Sequence, residues 1–203
     1  MKKSLGMLAA VGCLGVMGTA SAADCLLRTG VHSVNPNTSN NGAAKVDVSG
    51  AQSLSISGTC FVTPNLGIEV LGALPFLHDI KLQNGPKVGT TRHLPPTISV
   101  QYHFAPTGKF DPYVGAGLNY TFFFSTYTSG ALAGTNLQLG SSLGLAAEVG
   151  GDFNLGNNWL LGVDVRYIQI KSAAKLNGNK ATVGDVTLDP TVFGVTIAKK
   201  FSL

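Results

Sequence analysis

Charge is what this sequence has least of. Lys, Arg, Asp and Glu make up 12% of its 203 residues, against roughly a quarter in an average soluble domain, which argues against an ordinary soluble enzyme. Two of the 14 basic residues, Lys2 and Lys3, fall in a segment read below as removed, which leaves 12 against 10 acidic, or +2. These are scattered, so the phosphate-neutralising face that nucleic-acid binding requires is missing. Thiols are scarce as well: there are three cysteines. The histidines, His32, His78, His93 and His103, have no short metal-ligand spacing and no accompanying thiolate pattern, so neither a metal nor another cofactor is expected. No G-x-S-x-G elbow is present. His78-Asp79 could assist a serine, but without a nucleophile context the chain is not read as an enzyme. Beyond the first segment no stretch approaches 18 uninterrupted apolar residues, which excludes a transmembrane helix.

That first segment has the parts of a secretory signal. Met1-Lys2-Lys3 is a positive start, Leu5 to Thr19 is apolar and uncharged, and Ala20-Ser21-Ala22 is an A-x-A cleavage box. Residues 1–22 are therefore expected to be removed, with residues 23–203 forming the mature protein. Ala10-Val11-Gly12 before Cys13 is a poor lipobox. Export through a Gram-negative inner membrane follows.

The full sequence is 44% hydrophobic, yet after its first segment it has no helical span, and a β-barrel resolves the conflict because only alternate residues of each strand face lipid. Period-two alternation predicts eight strands at 25–34, 52–63, 66–76, 96–104, 112–124, 142–154, 159–170 and 187–201. Ile98, Val100, Tyr102 and Phe104 alternate with Ser99, Gln101 and His103. Leu161, Val163, Val165 and Tyr167 alternate with Gly162, Asp164 and Arg166. One face is apolar, the other small, polar or charged. Connections alternate long (35–51, 77–95, 125–141, 171–186) and short (Pro64-Asn65, 105–111, 155–158), the rhythm of an up-and-down antiparallel barrel with mobile outer loops and both ends in the periplasm. Aromatic residues near strand ends, among them Phe61, Phe76, Tyr113, Phe122, Trp159 and Phe201, suit interfacial girdles.

Eight strands leave an interior that side chains nearly fill. Arg28, Glu69, Gln101, His103, Glu148, Asp164 and Arg166 share the polar face, where ions must pair or meet water. They form either a structural plug or a polar constriction lining a path. Leu71, Ala73, Phe123, Ile168 and Ile170 share that inward parity nearer the outer end, with Leu77, Ile80 and Leu94 close by. These either line a vestibule for a hydrophobic molecule or pack under the loops. Cys25 and Cys60 fall near the periplasmic rim on neighbouring strands, where a bridge is possible in an oxidising compartment; the alternative is two apolar side chains that do not meet.

Longer motifs carry a resemblance. Asn65-Leu66-Gly67-Ile68-Glu69-Val70-Leu71-Gly72-Ala73-Leu74-Pro75-Phe76 followed by His78 and Ile80, His93-Leu94-Pro95-Pro96-Thr97, Phe110-Asp111-Pro112-Tyr113-Val114-Gly115-Ala116-Gly117-Leu118-Asn119-Tyr120-Thr121 with Phe123-Phe124, and Leu188-Asp189-Pro190 resemble the OmpW family of outer-membrane proteins. The resemblance implies a monomeric eight-stranded outer-membrane barrel that lets small hydrophobic molecules pass, as AlkL-type relatives do for alkanes, with sideways release into membrane lipid. A closed barrel serving structure or surface recognition is the alternative. In this scheme Pro75, Pro95 and Pro96, which lack backbone donors, interrupt pairing and leave a lateral gap. Arg166 departs from the family's apolar inner face and would narrow the path. The barrel-assembly machinery is the expected partner in biogenesis, with Phe201 as the terminal aromatic although Ser202-Leu203 follow it.

Overall fold

A computed structural model describes residues 24–40, 46–177 and 181–202. The expected signal segment, its cleavage box and Cys13 lie outside the described residues. The strands are β1 (Asp24–Asn35), β2 (Ser39–Asn40), β3 (Val46–Val48), β4 (Ala51–Phe61) and β5 (Leu66–Ala73). β6 (Phe76–Leu82), β7 (Lys87–Leu94), β8 (Thr97–His103), β9 (Phe110–Thr128) and β10 (Leu137–Leu139) follow. β11 (Ser142–Gly156), β12 (Trp159–Ile168), β13 (Lys171–Leu176), β14 (Ala181–Thr187) and β15 (Thr191–Ser202) complete the set.

Eight of these close a barrel. The antiparallel order is β11-β12-β15-β1-β4-β5-β8-β9, and β9 returns to β11 from Ser142↔Thr121 to Phe153↔Phe110. The alternation expected from the sequence sets the register. Val31 lies opposite Val195, which lies opposite Val163, all facing out, while Arg28, Asp164 and Arg166 face in and are buried. Short turns and both described ends gather at one rim, where Asp24 pairs with Ser202. The tightest joins β11 to β12 through Asn157-Asn158, at φ 51° and 64°. A two-residue hairpin of this hand needs two left-handed residues, and Asn tolerates that conformation. At the same rim Cys25 faces Cys60 across β1 and β4, and the two form a disulfide.

At the opposite rim the expected loops are replaced by more sheet. β9 has 19 residues, about 60 Å of strand at ~3.3 Å per residue, whereas 9–11 tilted residues cross a bilayer. Its excess length carries the β6–β7 hairpin, paired from Leu94↔Phe122 to Gly89↔Thr128, and β3 adds to β6. A second sheet, β10-β13-β14-β2, stands beside it. The Gly, Asn, Thr and Ser richness of these segments conceals short apolar alternations (Val46 and Val48, Ile80 and Leu82, Leu137 and Leu139) that demand burial. The strand expected at 66–76 breaks at Leu74-Pro75, and the last wall strand begins at Thr191 rather than 187.

Three girdle assignments are corrected. Phe61 continues the inward parity of Ser57 and Thr59 and meets the buried His103 ring edge-on at 4.9 Å. Phe76 and Tyr113 are each 2% exposed and point inward, because Pro75 shifts the pairing by one residue at Phe76 and Tyr113 shares the inward parity of Gly115. Phe104, Phe110, Phe122, Phe124, Phe153, Trp159, Tyr167 and Phe201 do face out.

An outward residue in mid-wall separates lipid contact from water contact. Val195 is 58% exposed on the bare protein, and in water a charge there would cost almost nothing. Val195→Arg is expected to destabilise the barrel by about 2–4 kcal/mol in vesicles, read as a shift of the urea unfolding curve.

Candidate functional site

The lumen has two zones. Near the short-turn rim it is filled by ions. Arg166 donates to both oxygens of Glu69 at 2.7 and 3.2 Å, to Asp164 at 2.8 Å, and pairs with Glu148 at 2.9 Å. Arg28 grips both oxygens of Asp152 at 2.5 and 2.6 Å and lies 5.6 Å over the Tyr113 ring. His32 bridges Ser55 (2.6 Å) and Asp164 (3.3 Å). Ser99 and Gln101 donate to Glu148 at 2.7 and 3.2 Å, and His103 meets Asp111 at 2.7 Å. All these groups are buried. The wall makes room for them with glycine: a Cβ at Gly162 would sit 2.9 Å from Asp152 Oδ1, and one at Gly194 would collide with Asp164 Oδ2.

The structure thus brings together Arg28, Glu69, Gln101, His103, Glu148, Asp164 and Arg166, and adds His32, Asp111, Asp152 and Tyr113. Each addition was within reach of parity, since His32 follows Arg28 by four residues and Asp152 follows Glu148 by four. His103, Asp111 and Asp152 lie close enough for one cation, but each already has a protein partner. His78 and Asp79 point to opposite faces: His78 is buried, while Asp79 pairs with Lys87 outside at 2.7 Å. The pair is therefore not a dyad.

Above the ions the lumen is apolar. Val34, Phe76, Ala146, Ile168, Ile170, Leu188 and Val192 form its core, with Ala73 and Phe123 packed against them. Two cavities lie here. The outer one, about 100 Å³, is walled by Val48, Ile80, Phe123, Leu139, Ala174 and Leu188 with His78 and His93. The inner one, about 20 Å³, is walled by Leu71, Ala73, Phe76, Pro95, Ile168 and Ile170, with Arg166 as its floor and His93 at its upper end. Leu77 and Leu94 are corrected: neither lines a cavity, and Leu77 is 52% exposed outside. Leu94 sits beside outward Phe122 in the ladder.

Behind the inner cavity the wall ladder breaks. β5 and β8 pair up to Leu71↔Thr97, and β6 and β7 resume at Phe76↔His93. Between them no ladder pairing among the described residues joins 72–75 to 94–96. Asn119, fully buried, secures one side: its Nδ2 donates to the carbonyls of Pro95 (3.0 Å) and Pro96 (3.2 Å). Pro75, Pro95 and Pro96 contribute no donors to the break.

His78 and His93 stand in the hairpin beyond the spanning wall, stacked at 4.7 Å, with Phe76 on His93 at 5.3 Å. Burial pushes His78 below the ordinary imidazole range against the pull of Ser49 and Asp79, and pushes His93 down to about 3, helped by His78. Both rings are neutral at pH 7.

The chain matches the family model described as the OmpW family over residues 21–201. It is 39% identical over 194 residues to outer membrane protein W of Vibrio cholerae, covering 88% of each chain. It is 29% identical over 133 residues to outer membrane protein AlkL of Ectopseudomonas oleovorans, covering 64% of this chain and 56% of that one. The crystal structure of OprG from Pseudomonas aeruginosa superimposes with a TM-score of 0.82 at 30% identity, over 90% of this chain and 97% of that one.

Two outcomes test these zones. Arg166→Leu leaves Glu69 unpaired and is expected to cost about 3–5 kcal/mol, much of it recovered in Arg166→Leu with Glu69→Leu; unfolding in vesicles measures both. As pH falls from 6.5 toward 3, the open hairpin binds protons that the closed one refuses, so its stability drops by up to about 1.4 kcal/mol per pH unit and imidazole. Hydrogen exchange at Thr91 and Phe123, corrected for intrinsic rate, should show this, and His78→Phe with His93→Phe should abolish it.

Proposed function

Because the chain belongs to the OmpW family of outer-membrane proteins, we propose that it carries small hydrophobic molecules passively from the exterior into the bilayer. The solute enters the outer cavity, passes His93 to the inner one, and leaves sideways between 72–75 and 94–96. The observation that carries this reading is that Leu71, Ala73, Phe76, His93 and Pro95 belong at once to the inner cavity and to the margins of the broken ladder.

The alternatives to a sideways exit are unfavourable. An apolar molecule moving downward would have to part Arg166 from Glu69, Asp164 and Glu148, leaving buried charges unpaired at several kcal/mol each. Moving sideways, it meets three prolines without N–H groups and then acyl chains as apolar as itself. The ionic floor then works as a plug and seals the periplasmic end. Leu71, Ala73, Phe123, Ile168 and Ile170 line the route. Removal of residues 1–22 on export, insertion by the assembly machinery and a monomeric working state belong to the same proposal.

Ala73→Leu adds bulk to the inner cavity beside the break. In sealed outer-membrane vesicles it should lower the chain-dependent entry of N-phenyl-1-naphthylamine several-fold while keeping the heat-modifiable mobility of a folded barrel. Entry no faster than in vesicles lacking the chain, for the unaltered protein, would instead favour a closed barrel serving structure or recognition.

A further inference from the structure

The lining of the outer cavity is mostly apolar, and its few polar side chains divide sharply. Thr91 bonds Thr126 at 3.0 Å, Ser172 donates to the Gly140 carbonyl at 2.8 Å, and Asp185 pairs with Lys171 at 2.9 Å. His78 Nδ1 donates to the Ser49 carbonyl at 2.6 Å. What is left is His78 Nε2 and both ring nitrogens of His93, buried and without a hydrogen-bond partner among the described residues. Each histidine is 2% exposed.

Three unpartnered nitrogens in an apolar cavity are costly, and their chemistry is defined. With the proton of His78 on Nδ1, its Nε2 is an acceptor. A neutral His93 offers one donor and one acceptor. The rings are stacked 22° from parallel, so these functions lie side by side. His93 is also the residue shared by the linings of the two cavities, and a solute passing between them must pass it.

We propose that His93, with His78 behind it, recognises a hydroxyl group, and that the chain favours hydrophobic alcohols and phenols over the parent hydrocarbons. The inference rests on the uptake reading and names its substrate class. A hydroxyl both donates and accepts, so it satisfies an imidazole acceptor and the His93 N–H together. A carbonyl or ester can only accept. A hydrocarbon leaves all three nitrogens bare. A carboxylate would bring a full charge into a cavity whose described lining has no lysine or arginine.

The probes are 1-naphthol and naphthalene, which share a ring system and differ by the hydroxyl. Binding to the mature chain in phospholipid nanodiscs is measured against empty nanodiscs, and entry of both probes into sealed outer-membrane vesicles is measured alongside. The chain should bind 1-naphthol at least ~10-fold more tightly than naphthalene, the factor that one recovered buried hydrogen bond supplies. His93→Phe keeps a ring between Phe76 and His78 and should bring the two probes to within about twofold, by weakening 1-naphthol. In the unaltered protein, histidine ring ¹⁵N signals should move on adding 1-naphthol and stay fixed with naphthalene; this decides the matter if His93→Phe does not fold. Equal affinities, a preference that survives His93→Phe, or unmoved ring signals would overturn the hydroxyl reading while chain-dependent entry still supports uptake. Failure of both probes to bind and to enter would remove the uptake reading and this inference with it.

Discussion

A wall in hydrocarbon must pair its own backbone, because acyl chains offer no hydrogen bonds and each orphaned N–H or C=O costs several kcal/mol. The return of β9 to β11 meets that requirement by leaving the barrel no edge. It also gives meaning to the stretch at 72–75 and 94–96 where, among the described residues, the ladder between neighbouring wall strands lapses. At 72–75 and 94–96 the chain uses prolines, which have no donor to orphan, and turns the carbonyls of Pro95 and Pro96 toward Asn119. The break is therefore provided for by residue choice. Asn119 holds the Pro95-Pro96 segment to β9, so the open margin is the one facing β5 and β6.

The same requirement divides the lumen. Eight strands enclose little more than side-chain volume, and this chain fills the half nearest the short turns with two arginines against five carboxylates and the other half with Val, Ile, Leu and Phe. An ion network of this kind resists opening, since separating any member leaves its partner charged and dry. The apolar half resists nothing that is itself apolar. On the proposed uptake route, a solute in the upper cavities would meet a steep barrier below and a donor-poor wall beside it, an asymmetry that favours the sideways path.

Much of this was legible in the sequence, and the exceptions have physical causes. Period-two alternation located the eight wall strands and the inward set from Arg28 to Arg166, because one face must meet lipid and the other must not. Leu77 reads from the sequence as a loop residue near the vestibule, whereas alternation carried from Leu71 and Ala73 through Pro75 leaves Phe76 on the outer face. A slip of one residue there reverses every side chain beyond it. Leu94 likewise reads as a loop residue near the vestibule, although counting back from inward Thr97 puts His93 inside and Leu94 outside. Among the outer strands, β2, β3 and β10 have two or three residues and are too short to display a period, while β6, β7, β13 and β14 fall largely within the segments 77–95 and 171–186, whose length between wall strands reads as loop. The Cys25–Cys60 bond was open until the register placed the two residues opposite each other.

His93 joins these threads. It occupies the first rung after the break, opposite Phe76, so the residue that ends the gap also divides the two cavities. Its position follows from β7 being held to the overlong β9, which carries the hairpin above the membrane and turns His93 inward. An apolar residue there would pack as well and leave no nitrogen bare. Unpartnered polar atoms in a buried site are a known cost, and these sit on the residue shared by the linings of both cavities. Under the proposed hydroxyl recognition, a group that is destabilising when the site is empty and satisfied when it holds a hydroxyl would convert that cost into selectivity, because the favoured solute is the one that completes the hydrogen bonds the protein lacks.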